Sequence, residues 1–266
     1  TDTTATAERV GESVLVEESD PGVLRLVLAR PERGNAFDLP FARSFARAAA
    51  RVEARVREGG LTCLLITAQG RHFCVGGDLR DFPEDGERAR AHLTEMIGLV
   101  NQAMTILLEI PVPVVTQVQG AAAGAGVGLA ACGDIVVAAR SARFRAAYTA
   151  VGLSPDCATS WLLPRLVGLR RAMDMLLTNR VVPASEAADW GLVSRVADDH
   201  ALEDEVAQVV SALAASTGPA LATSKRLLRE APGNGLAEHL ADEAGSIATL
   251  AAHPESVQLR KAFLSR

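Results

Sequence analysis

Two glycine-rich stretches, each at the exit of an apolar run, constrain this chain more than any other feature of its sequence. The first is Phe73-Cys74-Val75-Gly76-Gly77-Asp78-Leu79 and the second is Gly120-Ala121-Ala122-Ala123-Gly124-Ala125-Gly126-Val127-Gly128-Leu129. A glycine-rich loop after a strand leaves backbone N–H groups uncovered, because no side chain stands in front of them. One such loop is a weak signal. Two of them, if they converge, offer two sets of donors that can hold a developing negative oxygen. The same glycines would also let helices pack closely on strands.

Strand-like and helix-like patterns alternate around these stretches. Residues 14–16 and 23–28 read as strands around the turn Asp20-Pro21-Gly22. From 38 to 58, Phe41, Phe45, Ala49, Val52 and Val56 recur at helical spacing, and Gly59-Gly60 ends the helix. Continuous apolar runs at 61–67 and 112–118 predict strands buried on both faces, each feeding one glycine stretch. The spacing predicts a helix over 87–109, with Leu93, Ile97, Val100, Met104 and Leu108 on one stripe and Pro111 and Pro113 beyond it. Residues 121–132 read as a small-residue helix, 134–139 as a strand and 142–147 as a further β-like piece. Short helices are expected at 169–178 and 185–190, and a short strand at 193–196. After Asp199 the pattern is helical, broken near Gly218-Pro219, Pro232-Gly233 and Pro254. The class is α/β with a helical C-terminal third, divided as a core over 1–199 and a helical region over 200–266.

Composition narrows the function classes. The chain has 266 residues, enough for a sizeable core, and a formal net charge of −5. That balance argues against nucleic-acid binding and against a polybasic membrane contact, and no apolar run reaches membrane-spanning length. The four cysteines, Cys63, Cys74, Cys132 and Cys157, form no CxxC pair and have no histidine at ligand spacing, so no metal site is expected. They read as small buried thiols in a reducing cytoplasm. Residues 1–9 are polar and carry no apolar leader segment, so no secretory signal is expected.

The second stretch loosely matches a dinucleotide fingerprint. That fingerprint needs a different glycine spacing and an acidic residue at the end of the following strand, where Ala139-Arg140 stands here. A wider pattern fits better. In order along the chain come Arg30-Pro31-Glu32-Arg33-Gly34-Asn35-Ala36, the two glycine stretches and Val151-Gly152-Leu153-Ser154-Pro155-Asp156. Trp161-Leu162-Leu163-Pro164-Arg165-Leu166-Val167-Gly168 and Ala187-Ala188-Asp189-Trp190-Gly191-Leu192-Val193 follow. This series resembles the enoyl-CoA hydratase/isomerase (crotonase) superfamily over most of residues 14–200.

The resemblance implies a spiral of ββα turns followed by a helical trimerisation region, assembled as a homo-trimer or a dimer of trimers. It implies acyl-CoA thioester substrates, with coenzyme A part of the substrate and no prosthetic group. The oxyanion donors carry over to the backbone N–H groups of Gly77 and Ala125. The carbonyl of Val75 is placed near adenine, and Arg33 near the CoA phosphates, although an exposed arginine is usually only a solvated charge. Asp78 reads as a residue that fixes the loop, and His72 as structural. Many relatives end in a short basic tail that contacts CoA; the sequence given stops at Phe263-Leu264-Ser265-Arg266, so looser clamping of CoA, or a different tail arrangement, is expected.

The family's water-activating glutamates fall at Gly128 and Tyr148, and neither is a carboxylate. Tyr148 reads as a hydrogen-bond donor or as pocket packing. The stretch around Pro155-Asp156 resembles the isomerase branch, close to ring-epoxyacetyl-CoA isomerases, which makes Asp156 the acid–base residue. Leu153 and Trp161 are expected to surround it and raise its pKa. As an alternative, Asp156 is a helix N-cap. That branch usually continues with Gly-Gly-Thr, whereas Cys157-Ala158-Thr159-Ser160 stands here. The expected reaction is migration of a double bond. Water addition or carbon–carbon bond chemistry, with lyase character, and acyl-CoA binding without turnover are the competing readings.

Overall fold

The computed structural model describes residues 8–9 and 13–265. Most of residues 1–9, and Arg266, lie outside this set. The chain opens with β1 (Glu8–Arg9), β2 (Val14–Asp20) and β3 (Val23–Leu28), followed by α1 (Leu39–Arg57) and β4 (Cys63–Ala68). Next come α2 (Gly86–Glu109), β5 (Val114–Val118), β6 (Ala121–Ala123) and α3 (Ala125–Ala131). The middle of the chain holds β7 (Ile135–Ala139), β8 (Arg143–Arg145), α4 (Thr159–Val167) and α5 (Leu169–Thr178). Then follow β9 (Val182–Pro183), α6 (Ala184–Asp189), β10 (Arg195–Ala197) and four helices: α7 (Leu202–Ala214), α8 (Gly218–Glu230), α9 (Leu236–Ala252) and α10 (Pro254–Leu264).

The strands form a seven-stranded sheet in the order β1-β2-β3-β4-β5-β7-β10 and a three-stranded sheet, β6-β8-β9. β1 to β3 pair antiparallel, and β3 through β10 pair parallel. Each turn of the chain lays one strand in the large sheet, makes a tight corner and lays a short strand in the small one: β5 to β6, then β7 to β8. The isolated parallel bridge between Cys74 and Ala122 adds the turn after β4 to the small sheet. This is the ββα spiral expected from the sequence.

Local chemistry explains the elements. Asp38 caps α1 by accepting from the Phe41 N–H at 2.9 Å, and Phe37 packs edge-on against Phe41 and Phe45 at the helix base. Strand β4 is buried on both faces along most of its length, as its continuous apolar run requires. One expectation fails. Residues 121–132 are not one helix, because Gly124 (φ +52) turns the chain between β6 and α3. Helix α4, with Pro164 in its interior, entered the sequence reading only as the helix that Asp156 would cap.

The helices after residue 199 are of two kinds. α7 buries Leu202, Val206 and Val209 in the main core. α8, α9 and α10 contain no buried residue, and Leu228, Leu236, Ile247 and Phe263 on them are more than two-thirds exposed. α8 is tethered through Lys225, whose ammonium reaches Asp134 at 2.7 Å and the Val112 carbonyl at 2.8 Å. Among the described residues, no single helix is long and apolar enough to cross a membrane.

Candidate active site

The two glycine loops meet backbone to backbone. A Cβ on Gly76 would lie 2.8 Å from the Ala123 carbonyl oxygen and 3.3 Å from the Gly124 Cα, so only glycine lets the loops approach this far. Gly76 also sits at φ +92, where other residues are strained. A Cβ on Gly126 would lie 2.2 Å from the Cys74 carbonyl oxygen, so α3 rests directly on the first loop.

This contact leaves two N–H groups, those of Gly77 and Ala125, without an acceptor among the described residues. Phe37 donates to the Gly76 carbonyl and accepts from Asp78 N–H, both at 2.7 Å, and so brackets Gly77 in a parallel bridge. The bracketed residue turns its own N–H away from the partner. Ala125 is the first residue of α3, where an N–H has no intrahelical partner. The two donors therefore arise differently. The first loop runs only into a 3₁₀ turn, Leu79–Asp81.

Gly77 and Ala125 line one cavity of about 270 Å³ with Val75, Tyr148, Ser154 and Asp156. Its far wall is apolar: Phe82 after the first loop, and Leu93, Met96, Ile97 and Val100 on one face of α2. The helical stripe was legible in the sequence, but its division between core and cavity was not. Among the described residues lining the cavity, Asp156 is the one charged side chain.

The Asp156 carboxylate accepts from the Tyr148 phenol at 2.8 Å. Burial pushes Asp156 above its ordinary value, and the Tyr148 hydrogen bond opposes the rise. Burial, then the Asp156 charge, pushes Tyr148 far up, so the phenol stays neutral and acts as a donor. Asp156 does not cap α4: that position belongs to Ala158, with no side-chain cap. Leu153 lines the cavity as expected, whereas Trp161 is 54% exposed and lies under the Arg165 guanidinium, 4.0 Å from its ring centroid. Desolvation of Asp156 therefore comes without Trp161.

The departure from Gly-Gly falls on unusual backbone. Cys157 and Ala158 both adopt left-handed conformations, at φ +50 and +57. Each costs about 1 kcal/mol in a non-glycine residue. The turn brings the Cys157 carbonyl against α3, where a Cβ on Gly128 would lie 2.0 Å from it. Position 128 is thus closed to any side chain.

Arg33 does not line the cavity. Its guanidinium bonds Asp78 at 3.0 Å, beside the first loop. The Arg80 and Arg33 guanidiniums hold Asp78 well below the usual carboxylate range, and Asp78 also accepts from Arg80 N–H, which fixes the loop. His72 accepts from Ala121 N–H at 3.2 Å and so joins the two loops. Sequence reasoning missed Thr159, whose hydroxyl lies 3.1 Å from the Tyr148 phenol oxygen. The one signal for it was that Thr159 stands where the branch's Gly-Gly-Thr carries its threonine.

Comparison with known proteins agrees with this architecture. The enoyl-CoA hydratase/isomerase family model matches residues 18–265. The 1,2-epoxyphenylacetyl-CoA isomerase of Escherichia coli K12 is 38% identical over 223 residues, 84% of each chain. The crystal structure of an enoyl-CoA hydratase from Polaromonas sp. JS666 superposes with a TM-score of 0.86 at 31% identity, over 96% of this chain and 97% of that one. A Thermobifida fusca YX protein solved in complex with CoA superposes with a TM-score of 0.79 at 30% identity, over 90% of this chain and 93% of that one. The chain belongs to the enoyl-CoA hydratase/isomerase family and is an acyl-CoA enzyme of the crotonase fold.

Proposed function

We propose that this enzyme is an enoyl-CoA isomerase that moves a double bond along the acyl chain, with Asp156 as its single acid–base residue. The observation that carries the reading is the carboxylate inventory: among the described residues lining the cavity Asp156 is the one carboxylate, and position 128 is sealed by the Cys157 carbonyl. Activation of water by paired glutamates has no second carboxylate here.

In this reading the thioester carbonyl lies between the Gly77 and Ala125 N–H groups. Asp156 takes a proton from a carbon conjugated, directly or vinylogously, to that carbonyl. The electron pair left behind delocalises onto the carbonyl oxygen, and each N–H stabilises that charge by about 3 kcal/mol. Asp156 then returns the proton to a different carbon. No atom is gained or lost, and one base serves both carbons. The raised Asp156 pKa brings its basicity closer to that task. The Val75 carbonyl and Arg33 are proposed as CoA contacts at the mouth of the site.

Asp156→Asn tests the assignment. Turnover of a β,γ-enoyl-CoA should fall by about 10³-fold, while CoA binding by calorimetry stays unchanged. Undiminished turnover in this variant would remove Asp156 from the mechanism.

A further inference from the structure

The Tyr148 phenol oxygen has three polar neighbours: Asp156 Oδ1 at 2.8 Å, the Asp156 carbonyl at 3.4 Å and Thr159 Oγ1 at 3.1 Å. A phenol has one proton to donate, and its oxygen also accepts. An ionised carboxylate only accepts, so the phenol proton belongs to Asp156. Of the three neighbours, Thr159 alone can donate to the phenol oxygen. Its side chain is fully buried, where an unmade hydrogen bond is unfavourable.

Two further features place this hydroxyl. The left-handed pair Cys157 and Ala158 turns the chain back, so that α4 begins at Thr159 beside Tyr148. Gly128 supplies the room, since a Cβ there would lie 2.7 Å from Thr159 Oγ1. The missing side chain at 128 and the hydroxyl at 159 are complementary.

We infer that Thr159 is a positioning residue, which donates to the Tyr148 phenol oxygen and so commits the phenol proton to Asp156. The inference rests on the acid–base role of Asp156. When Asp156 carries the substrate proton it becomes a donor, and the phenol can turn its own proton toward Thr159 Oγ1. The phenol thus has a partner in both protonation states, and no net proton moves along the chain. The titratable groups facing Asp156 are Tyr148, Cys157 and Cys74, all pushed up by burial and therefore neutral. The hydroxyl pair is then the adjustable influence on the carboxylate.

The test is the pH profile of kcat/KM for β,γ-enoyl-CoA isomerisation in Thr159→Val, Thr159→Ser, Tyr148→Phe and the Tyr148→Phe/Thr159→Val double variant. Thr159→Val should lower kcat by about tenfold, leave KM nearly unchanged and move the acid limb to higher pH, because the carboxylate loses support. Thr159→Ser should restore both. In the Tyr148→Phe background, Thr159→Val should have no further effect. Wild-type kcat and acid limb in Thr159→Val, equal loss in the Ser and Val variants, or additive loss in the double variant would each overturn the inference. If Thr159→Val does not fold, Thr159→Ala takes its place against the same criteria. Retained turnover in Asp156→Asn defeats the parent reading instead. An inactive Asp156→Asn beside an unaffected Thr159→Val defeats this inference alone.

Discussion

The two sides of the cavity are built by opposite means. The glycine loops present backbone: Gly76 and Gly124 touch because neither has a side chain, and the exposed groups are N–H donors. The 147–159 segment presents side chains. Tyr148, Asp156 and Thr159 form a hydrogen-bonded set, held by Ala147, Cys157 and Ala158 in left-handed conformations that non-glycine residues rarely adopt. One side obtains an unusual backbone by deleting atoms. The other accepts strain of the kind that clusters at functional sites. In the proposed mechanism the first side fixes where charge can accumulate, and the second fixes which proton moves.

The sharpest way to break this division is to exchange the two strategies. Gly128→Glu restores the residue type that a hydratase carries, but it drives a side chain into the Cys157 carbonyl. We expect a loss of about 3 kcal/mol in urea unfolding and no hydration product. A stable variant that hydrates would mean that the 156–159 turn yields easily and that the 147–159 side chains do not by themselves set the chemistry. On the loop side, Gly76→Ala places a methyl 2.8 Å from the Ala123 oxygen at φ +92. Parting the loops should reduce kcat by about 10²-fold while the acid limb of the pH profile stays in place. A moved limb would show that the loops also tune Asp156.

The smallest effect concerns stability. Asp156 has an ordinary pKa of 3.8 that burial raises in the folded protein. Its contribution is therefore full below that ordinary value and is lost as pH rises through the raised one. Asp156→Asn removes this loss. The variant should melt higher than wild type near neutral pH, and the two should converge in acid. Parallel melting curves across this range would place Asp156 in a wetter environment than the structure gives it.

These contrasts also explain what was legible beforehand. The strands and long helices follow from uninterrupted apolar runs and from the spacing of Phe41, Phe45 and Val52. The glycine stretches offered the convergence of the loops and equally the close packing of α3 on the first loop, and the structure has both. Three things were hidden. The strand at 121–123 is written in alanines, which carry no β signal, so only the turn at Gly124 separates it from α3. Trp161 stands near Asp156 in sequence, yet α4 turns its ring outward beneath Arg165. Thr159 becomes meaningful only when the left-handed turn brings it to Tyr148, a contact across 11 residues that no local spacing encodes.

The central claim is that Asp156 moves one proton between two carbons of an acyl-CoA held by Gly77 and Ala125. It is tested most directly by mass spectrometry of a β,γ-enoyl-CoA incubated with the enzyme in heavy water. The account predicts the conjugated isomer with no mass gain from water, carrying deuterium at carbon only to the extent that the proton on Asp156 exchanges with solvent before its return, and no such product with Asp156→Asn. A product heavier by one molecule of heavy water, or an unaltered substrate across a panel of acyl groups with the wild-type enzyme, would contradict it.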